Sequence, residues 1–326
     1  MSYFLATVHF VLFYIVDTKE YLNIPKYIAG LERLPYQRRL LMMLVLRAFR
    51  SNRLILIASS HFRGSFHNPD LLICGLIYFC SLAIAGITAT LLYESASKHA
   101  RYKLAVYPFF LACAAWTYLV NNEAFGRYIY DIPALAFFTA GIYLIYTKKY
   151  FGLALLIAVG TLNRETTVLL VPIYFLTAYL HMPLQEPIAS KLKALPWFKS
   201  LLLGAIWLSE KAGLSRLYRK NDASESFVHL HINIHLLTPG HWPQIFSACA
   251  FLLPLLWMLR NKISDRAVTA TIYVFPLWVI IMMIYGLIIE SRIFGELCGY
   301  CAVGCVLLLD RESGMHTLQE DEAALA

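Results

Sequence analysis

Apolar residues run through this chain in long blocks with short polar interruptions, a pattern of helices buried on all sides rather than along one stripe. Residues 71–93 and 267–288 carry no charge over 23 and 22 positions. Either block is long enough for a helix to cross a bilayer core of about 30 Å. Apolar runs bounded by charge or proline give ten predicted spans: 2–16, 71–93, 105–120, 132–146, 151–162, 166–181, 198–208, 244–259, 267–288 and 294–309. The first is preceded by no basic segment and followed by no small-residue cleavage site, so it reads as a retained span rather than a signal peptide. Spans 151–162 and 166–181 are divided only by Asn163-Arg164-Glu165, which predicts a hairpin or re-entrant turn.

Two stretches carry other periods. In residues 31–53, Pro35 opens a helix, and Arg39, Arg47, Arg50 and Arg53 fall within an arc of about 120° at about 100° per residue. That predicts an amphipathic basic helix lying on a membrane surface. The run FVHLHINIHL (227–236) alternates apolar and polar, so it predicts an extended strand with His229, His231, Asn233 and His235 on one face.

Composition strengthens the membrane reading. Of the 326 residues, 59% are hydrophobic and 15% charged, with a mean hydropathy of +0.60; ordinary globular chains have about 45–50% and about 25%. The fold class expected is an all-α polytopic membrane protein of about ten transmembrane helices. Residues 1–310 form one transmembrane domain, and 311–326 an acidic, disordered tail. All seven cysteines lie in apolar segments. Cys298, Cys301 and Cys305 share a helix face and read as small packing residues, because nothing polar flanks them to complete a metal site. The histidines likewise lack a cysteine or carboxylate to complete a zinc site.

Charge leaves orientation open at this point. The loops 94–104, 147–150, 182–197 and 260–266 are short and basic, which assigns them to the cytoplasm. Segment 17–70 falls on the opposite side, yet it carries nine Lys/Arg against four Asp/Glu.

That opposite side collects most of the unusual polar residues: Asp17, Glu20, Arg38, Arg39, Asn121, Asn122, Arg127, Asp131, Asn163, Arg164, Glu165, Glu290 and Arg292. Polar groups at membrane depth are costly and point to function. A transporter distributes them along a path through the bilayer; here they crowd one end, as an active site open to one face would. Each candidate also has a plainer reading. Asp17 and Glu20, directly after the first span, suit a general base or a solvated helix end. Gln37, Arg38 and Arg39 suit a phosphate or lipid headgroups. Asp131, two residues before Pro133, suits a helix N-cap. Arg164 at a buried turn is a natural anion ligand, or it is neutralised by adjacent Glu165. Glu290 and Arg292, two apart, point to different sides of a helix, or form an interfacial pair.

Taken together these pieces resemble the polyprenyl-phosphate-sugar-dependent membrane glycosyltransferases of the GT-C type. The first helix ending in an acid, with Asp17 followed four residues later by Tyr21, is similar to that family's pattern. So are the stretch Pro35-Tyr36-Gln37-Arg38-Arg39-Leu40, the Asn163-Arg164-Glu165 turn and Glu290-Ser-Arg292-Ile-Phe294. The resemblance implies a large first extracytoplasmic loop, 17–70, carrying interfacial amphipathic helices whose basic residues meet a lipid phosphate. It implies inverting sugar transfer from a polyprenyl-phosphate donor to an acceptor hydroxyl on a glycan, lipid or protein. Asp17 would be the base, with Glu20 the next acid. Gln37, Arg38, Arg39, Asp131, Asn163, Arg164, Glu165, Glu290 and Arg292 would bind the substrate and its phosphate. The location implied is a bacterial cytoplasmic (inner) membrane, with the active site on the extracytoplasmic face. No cofactor is required, no carboxylate cluster asks for a metal although a divalent cation is left open, and no nucleic acid is expected. The alternatives are a lipid or solute transporter and a non-catalytic assembly subunit.

Overall fold

Helices form where the apolar blocks are. The computed structural model describes residues 1–120, 126–222 and 228–325, with side chains described as far as Arg311. Asn121, Asn122 and Phe227 lie outside the described residues. In chain order the α-helices begin with α1 (Ser2–Val16), α2 (Ile24–Ala29), α3 (Leu40–Phe49), α4 (Arg53–His61) and α5 (Pro69–Ala96). Next come α6 (Lys103–Ala115), α7 (Asp131–Tyr146), α8 (Tyr150–Asn163), α9 (Leu170–Leu180), α10 (Ile188–Ala194) and α11 (Trp197–Leu217). The last are α12 (Leu230–Leu236), α13 (Trp242–Phe246), α14 (Leu252–Leu259), α15 (Ala270–Tyr285) and α16 (Cys298–Leu325), which continues through the acidic stretch. Among the described residues there is no strand, only an isolated bridge between Glu20 and Arg127.

Among the described residues three helices are long and apolar enough to cross a membrane: Pro69–Ala96, Lys103–Val120 and Ser291–Arg311. The second is α6 with a π-helical end, Trp116–Val120; the third is a 3-10 turn, Ser291–Leu297, running into α16. Most other expected spans are helical but shorter. At about 1.5 Å per residue, the 16 residues of α7 cover only about 24 Å. The block 244–259 is broken, because Cys249, Ala250 and Phe251 take φ of 52°, 57° and 62° between α13 and α14. Left-handed backbone costs a non-glycine residue roughly 1–2 kcal/mol, so surrounding packing must hold this turn.

The 28-residue α5 lies at the centre, against α1, α6, α7 and α16. Its buried positions Tyr78, Leu82, Ala85, Ala89 and Leu92 step by three and four, the spacing of one helix face. Gly86 sets the approach to α6: a Cβ there would stand 2.1 Å from the Tyr107 ring. Small residues permit such close crossings.

The predicted basic helix over 31–53 is interrupted twice. Arg39 leaves the helical region with ψ 76° and precedes α3, which ends at Phe49, and Asn52 then caps α4 by accepting from the Leu54 N–H at 2.9 Å. The arginines therefore do different work: Arg47 donates to the Ile28 carbonyl at 2.6 Å and Arg50 pairs with Asp70 at 3.6 Å. The predicted histidine strand is corrected as well. Residues 230–236 form α12, with Asn233 buried and donating to the Met283 and Gly286 carbonyls at 2.8 and 2.6 Å. The same residues fit a helix because Asn233 needs one buried side, while His231 and His235, four apart, meet on the exposed side at 3.3 Å.

Candidate functional site

The deepest charged group on the expected polar end is Asp131, which is fully buried. It opens α7 without capping it: no side-chain bond caps this helix, and Tyr130 holds the cap position. The carboxylate instead accepts from Arg164 and Arg292, both at 3.2 Å. Arg164 also meets Glu296 at 3.2 Å, and Arg292 also meets Glu290. Thr166 donates to Glu296 at 2.7 Å, and the Asn163 amide donates to the Tyr130 carbonyl at 2.9 Å. Arg164 is therefore not neutralised by its neighbour. Its backbone is extended, with φ −158° and ψ 137°, and Glu165 turns away to Lys211 at 3.5 Å. Glu290 and Arg292 do not part company; they pair.

Beside this network the tyrosines stack. Tyr36, Tyr128 and Tyr130 form a ladder with ring centroids 5.3 and 5.4 Å apart, and Tyr21 approaches Tyr128 at 5.4 Å. Three guanidiniums lie on these faces: Arg33 at 5.1 Å from Tyr21, Arg292 at 4.1 Å from Tyr128 and Arg39 at 4.0 Å from Tyr130. Such contacts are worth roughly 0.5–2 kcal/mol. Arg39 differs from Arg164 and Arg292 in having no carboxylate within ion-pair distance among the described residues, although its charge reaches Glu165 and Glu296. Its Nε is buried without a hydrogen-bond partner, as are Arg292 Nε, Tyr14 Oη, Tyr118 Oη, Tyr130 Oη and Asn163 Oδ1. Buried polar atoms are nearly always paired, so these atoms can each accept a further polar partner.

The other candidates separate into structural and available groups. Arg127 donates to Glu20 at 3.0 Å and to the Tyr14 and Ile15 carbonyls at 2.9 and 2.6 Å. A cation there satisfies the end of α1. Burial pushes the Glu20 carboxyl up, against the opposing pull of Arg127. Asp17 caps the C-terminal end of α1, exposed, with no side-chain partner among the described residues. Gln37 is fully buried and structural, accepting from the Glu32 N–H at 2.9 Å and donating to the Tyr27 carbonyl at 3.3 Å. Arg38 ends the 3-10 turn Tyr36–Arg38, and its charge reaches Glu165.

The sequence does not single out Glu296, Tyr128 or Tyr130, and it leaves Arg127 without a role. A signal existed for two: Tyr128 and Tyr130 alternate immediately before Asp131, which sends both to one side of an extended chain. An apolar groove of about 760 Å³ also runs along α9 and α11, lined by Val171, Phe175, Trp197, Leu201, Leu208 and Val274. Compared with protein-family models, curated proteins and solved structures, the chain finds no significant match.

Proposed function

We propose that this chain is a membrane glycosyltransferase of the GT-C type. In this reading it moves a sugar, with inversion, from a polyprenyl-phosphate donor to an acceptor hydroxyl on the extracytoplasmic face. On the same reading the apolar segments stand in the bilayer, the shorter helices flanked by protein. The observation that carries the reading is Arg39: a guanidinium stacked on Tyr130, with no carboxylate within ion-pair distance among the described residues, beside buried polar atoms that lack partners. An unneutralised arginine fork suits a phosphate. Tyrosine faces suit the apolar face of a sugar ring, and the groove along α9 and α11 suits a hydrocarbon chain. Arg164 and Arg292, each held by two carboxylates, frame the site rather than meet the phosphate first.

In the mechanism, Asp17 takes the proton of the acceptor hydroxyl as its oxygen attacks the anomeric carbon. The carbon–oxygen bond to the phosphate breaks, and Arg39 stabilises the negative charge that gathers on the departing phosphate. Asp17 suits the role because its carboxylate is exposed and has no side-chain partner among the described residues, whereas Glu20 is held by Arg127.

The test uses the purified full-length protein with a synthetic polyprenyl-phosphate sugar. Arg39→Gln is expected to weaken donor binding at least about 10-fold, the worth of one charge-assisted contact, with melting lowered by no more than the few degrees that loss of the Tyr130 contact accounts for. Asp17→Asn is expected to keep donor binding and lose about 10²–10⁴-fold in turnover. Transfer that survives Asp17→Asn but vanishes in Glu20→Gln moves the base to Glu20. A lipid or solute carried across vesicles unchanged, with no sugar transferred, replaces catalysis by transport.

A further inference from the structure

Away from the ionic network, three cysteines from distant parts of the chain converge. Cys113 lies on α6, Cys249 in the left-handed turn before α14, and Cys298 at the start of α16. Their sulfur atoms all lie within 4.8 Å of one another, and all three residues are buried. Cys249 and Cys298 are 3.7 Å apart, Sγ to Sγ. The Cys249 thiol donates to the Phe294 carbonyl at 3.3 Å, and Thr117 Oγ1 lies 3.5 Å from Cys298 Sγ. Along the sequence only Cys298, Cys301 and Cys305 read as a group, and packing explained them. Packing does not explain why Cys113 and Cys249 join Cys298 from separate segments, or why Cys249 sits in backbone that non-glycine residues avoid.

We infer that Cys113, Cys249 and Cys298 form a buried three-thiol site for a soft, thiophilic cation, copper(I). The donor set is sulfur only, and soft ligands select copper(I) or zinc over magnesium, calcium or manganese. Metal–thiolate bonds are about 2.3 Å, so three of them in a plane hold sulfurs about 4.0 Å apart, close to the spacing present without rearrangement. Three-coordinate planar geometry suits copper(I). Zinc asks for four tetrahedral ligands; Cys301, one turn further along α16, approaches Cys113 and Cys249 but is not among the three residues whose sulfurs all lie within 4.8 Å of one another. Binding releases thiol protons to solvent, because the thiolate is the form that ligates a metal. The site stands independently of the glycosyltransferase reading.

The test uses the full-length protein in detergent micelles, reduced, desalted and handled without oxygen. It is incubated with one equivalent of copper(I) as its acetonitrile complex, and in a parallel arm with zinc(II) alone. After a second desalting the expected result is one copper per chain, with sulfur as the scattering neighbour in X-ray absorption, and no retained zinc. Cys249→Ser and Cys298→Ser should each lose the copper, while Cys80→Ser and Cys305→Ser keep it. Melting curves identify a variant that fails to fold, and Cys113→Ala then supplies the missing-ligand comparison. No retained copper in the parent, copper retained in the Cys249 and Cys298 variants, or zinc retained in place of copper overturns the assignment. So does a Cys249–Cys298 disulfide in the protein as isolated.

Discussion

Replacing Asp131 by Asn separates a capping role from a role in the ionic network. The two side chains are nearly the same size, so the exchange removes charge and little else. A helix cap is worth about 1 kcal/mol, and Asn caps as well as Asp does, so capping alone predicts almost no change. The structure predicts more. Asp131 is fully buried and receives two guanidiniums at 3.2 Å, and removing one partner of a buried ion pair costs about 3–5 kcal/mol. Arg164 keeps Glu296 and Arg292 keeps Glu290, so the loss falls at the lower end, about 3 kcal/mol. At about 2 °C per kcal/mol for a large chain, the melting temperature drops by about 6 °C. Thermal unfolding of the purified protein in detergent, followed by tryptophan fluorescence, measures it. A companion cycle with Arg292→Gln should show the two losses failing to add, since both remove the same contact. An Asp131→Asn protein melting within about 2 °C of the parent would refute the network account.

Other outcomes follow from single contacts. Burial pushes the Glu210 carboxyl up to about 7 from its ordinary 4.5. A raised carboxyl contributes stability that is full below about pH 4.5 and is lost as pH rises through about 7. Glu210→Gln should therefore melt higher than the parent at pH 8 and no higher at pH 4; equal shifts at both would remove the burial account. Gly86→Ala forces a Cβ to within 2.1 Å of the Tyr107 ring and should cost about 1–3 kcal/mol by overpacking, read as a lower melting temperature that an unstrained contact would not show. For orientation, a Cys80→Ser background removes the exposed native thiol. In it Lys220→Cys should react with an impermeant maleimide from the extracytoplasmic side and Ser264→Cys should not, and reversed labelling inverts the topology.

Much of the helical layout was legible because apolar blocks are a local signal. Lys103–Val120 and 71–93 need no partner to be recognised as helical. The break inside 31–53 was also local, yet it was hidden: Asn52 is a capping residue lying between arginines whose spacing suited one continuous helix. The histidine run was ambiguous, because Asn233 and His235 alternate as a strand would while His231 and His235 also sit one helical turn apart. Asp131 could not have been assigned from sequence. Its partners lie 33 and 161 residues further on, and an acid two residues before a proline looks the same whether it caps a helix or anchors two arginines. Arg164 and Glu165 show the converse failure: neighbours in sequence, they face different partners because the chain extends at Arg164.

The shortness of α1, α7, α8 and α15 bears on the lipid around the protein. Helices of 14–16 residues reach about 21–24 Å, against a hydrocarbon layer of about 30 Å. Wherever such a helix meets lipid, the bilayer thins toward it at a fraction of a kcal/mol per Å. A thinned annulus draws headgroups inward. If these helices span the bilayer as proposed, thinner membranes are where the chain fits at least cost.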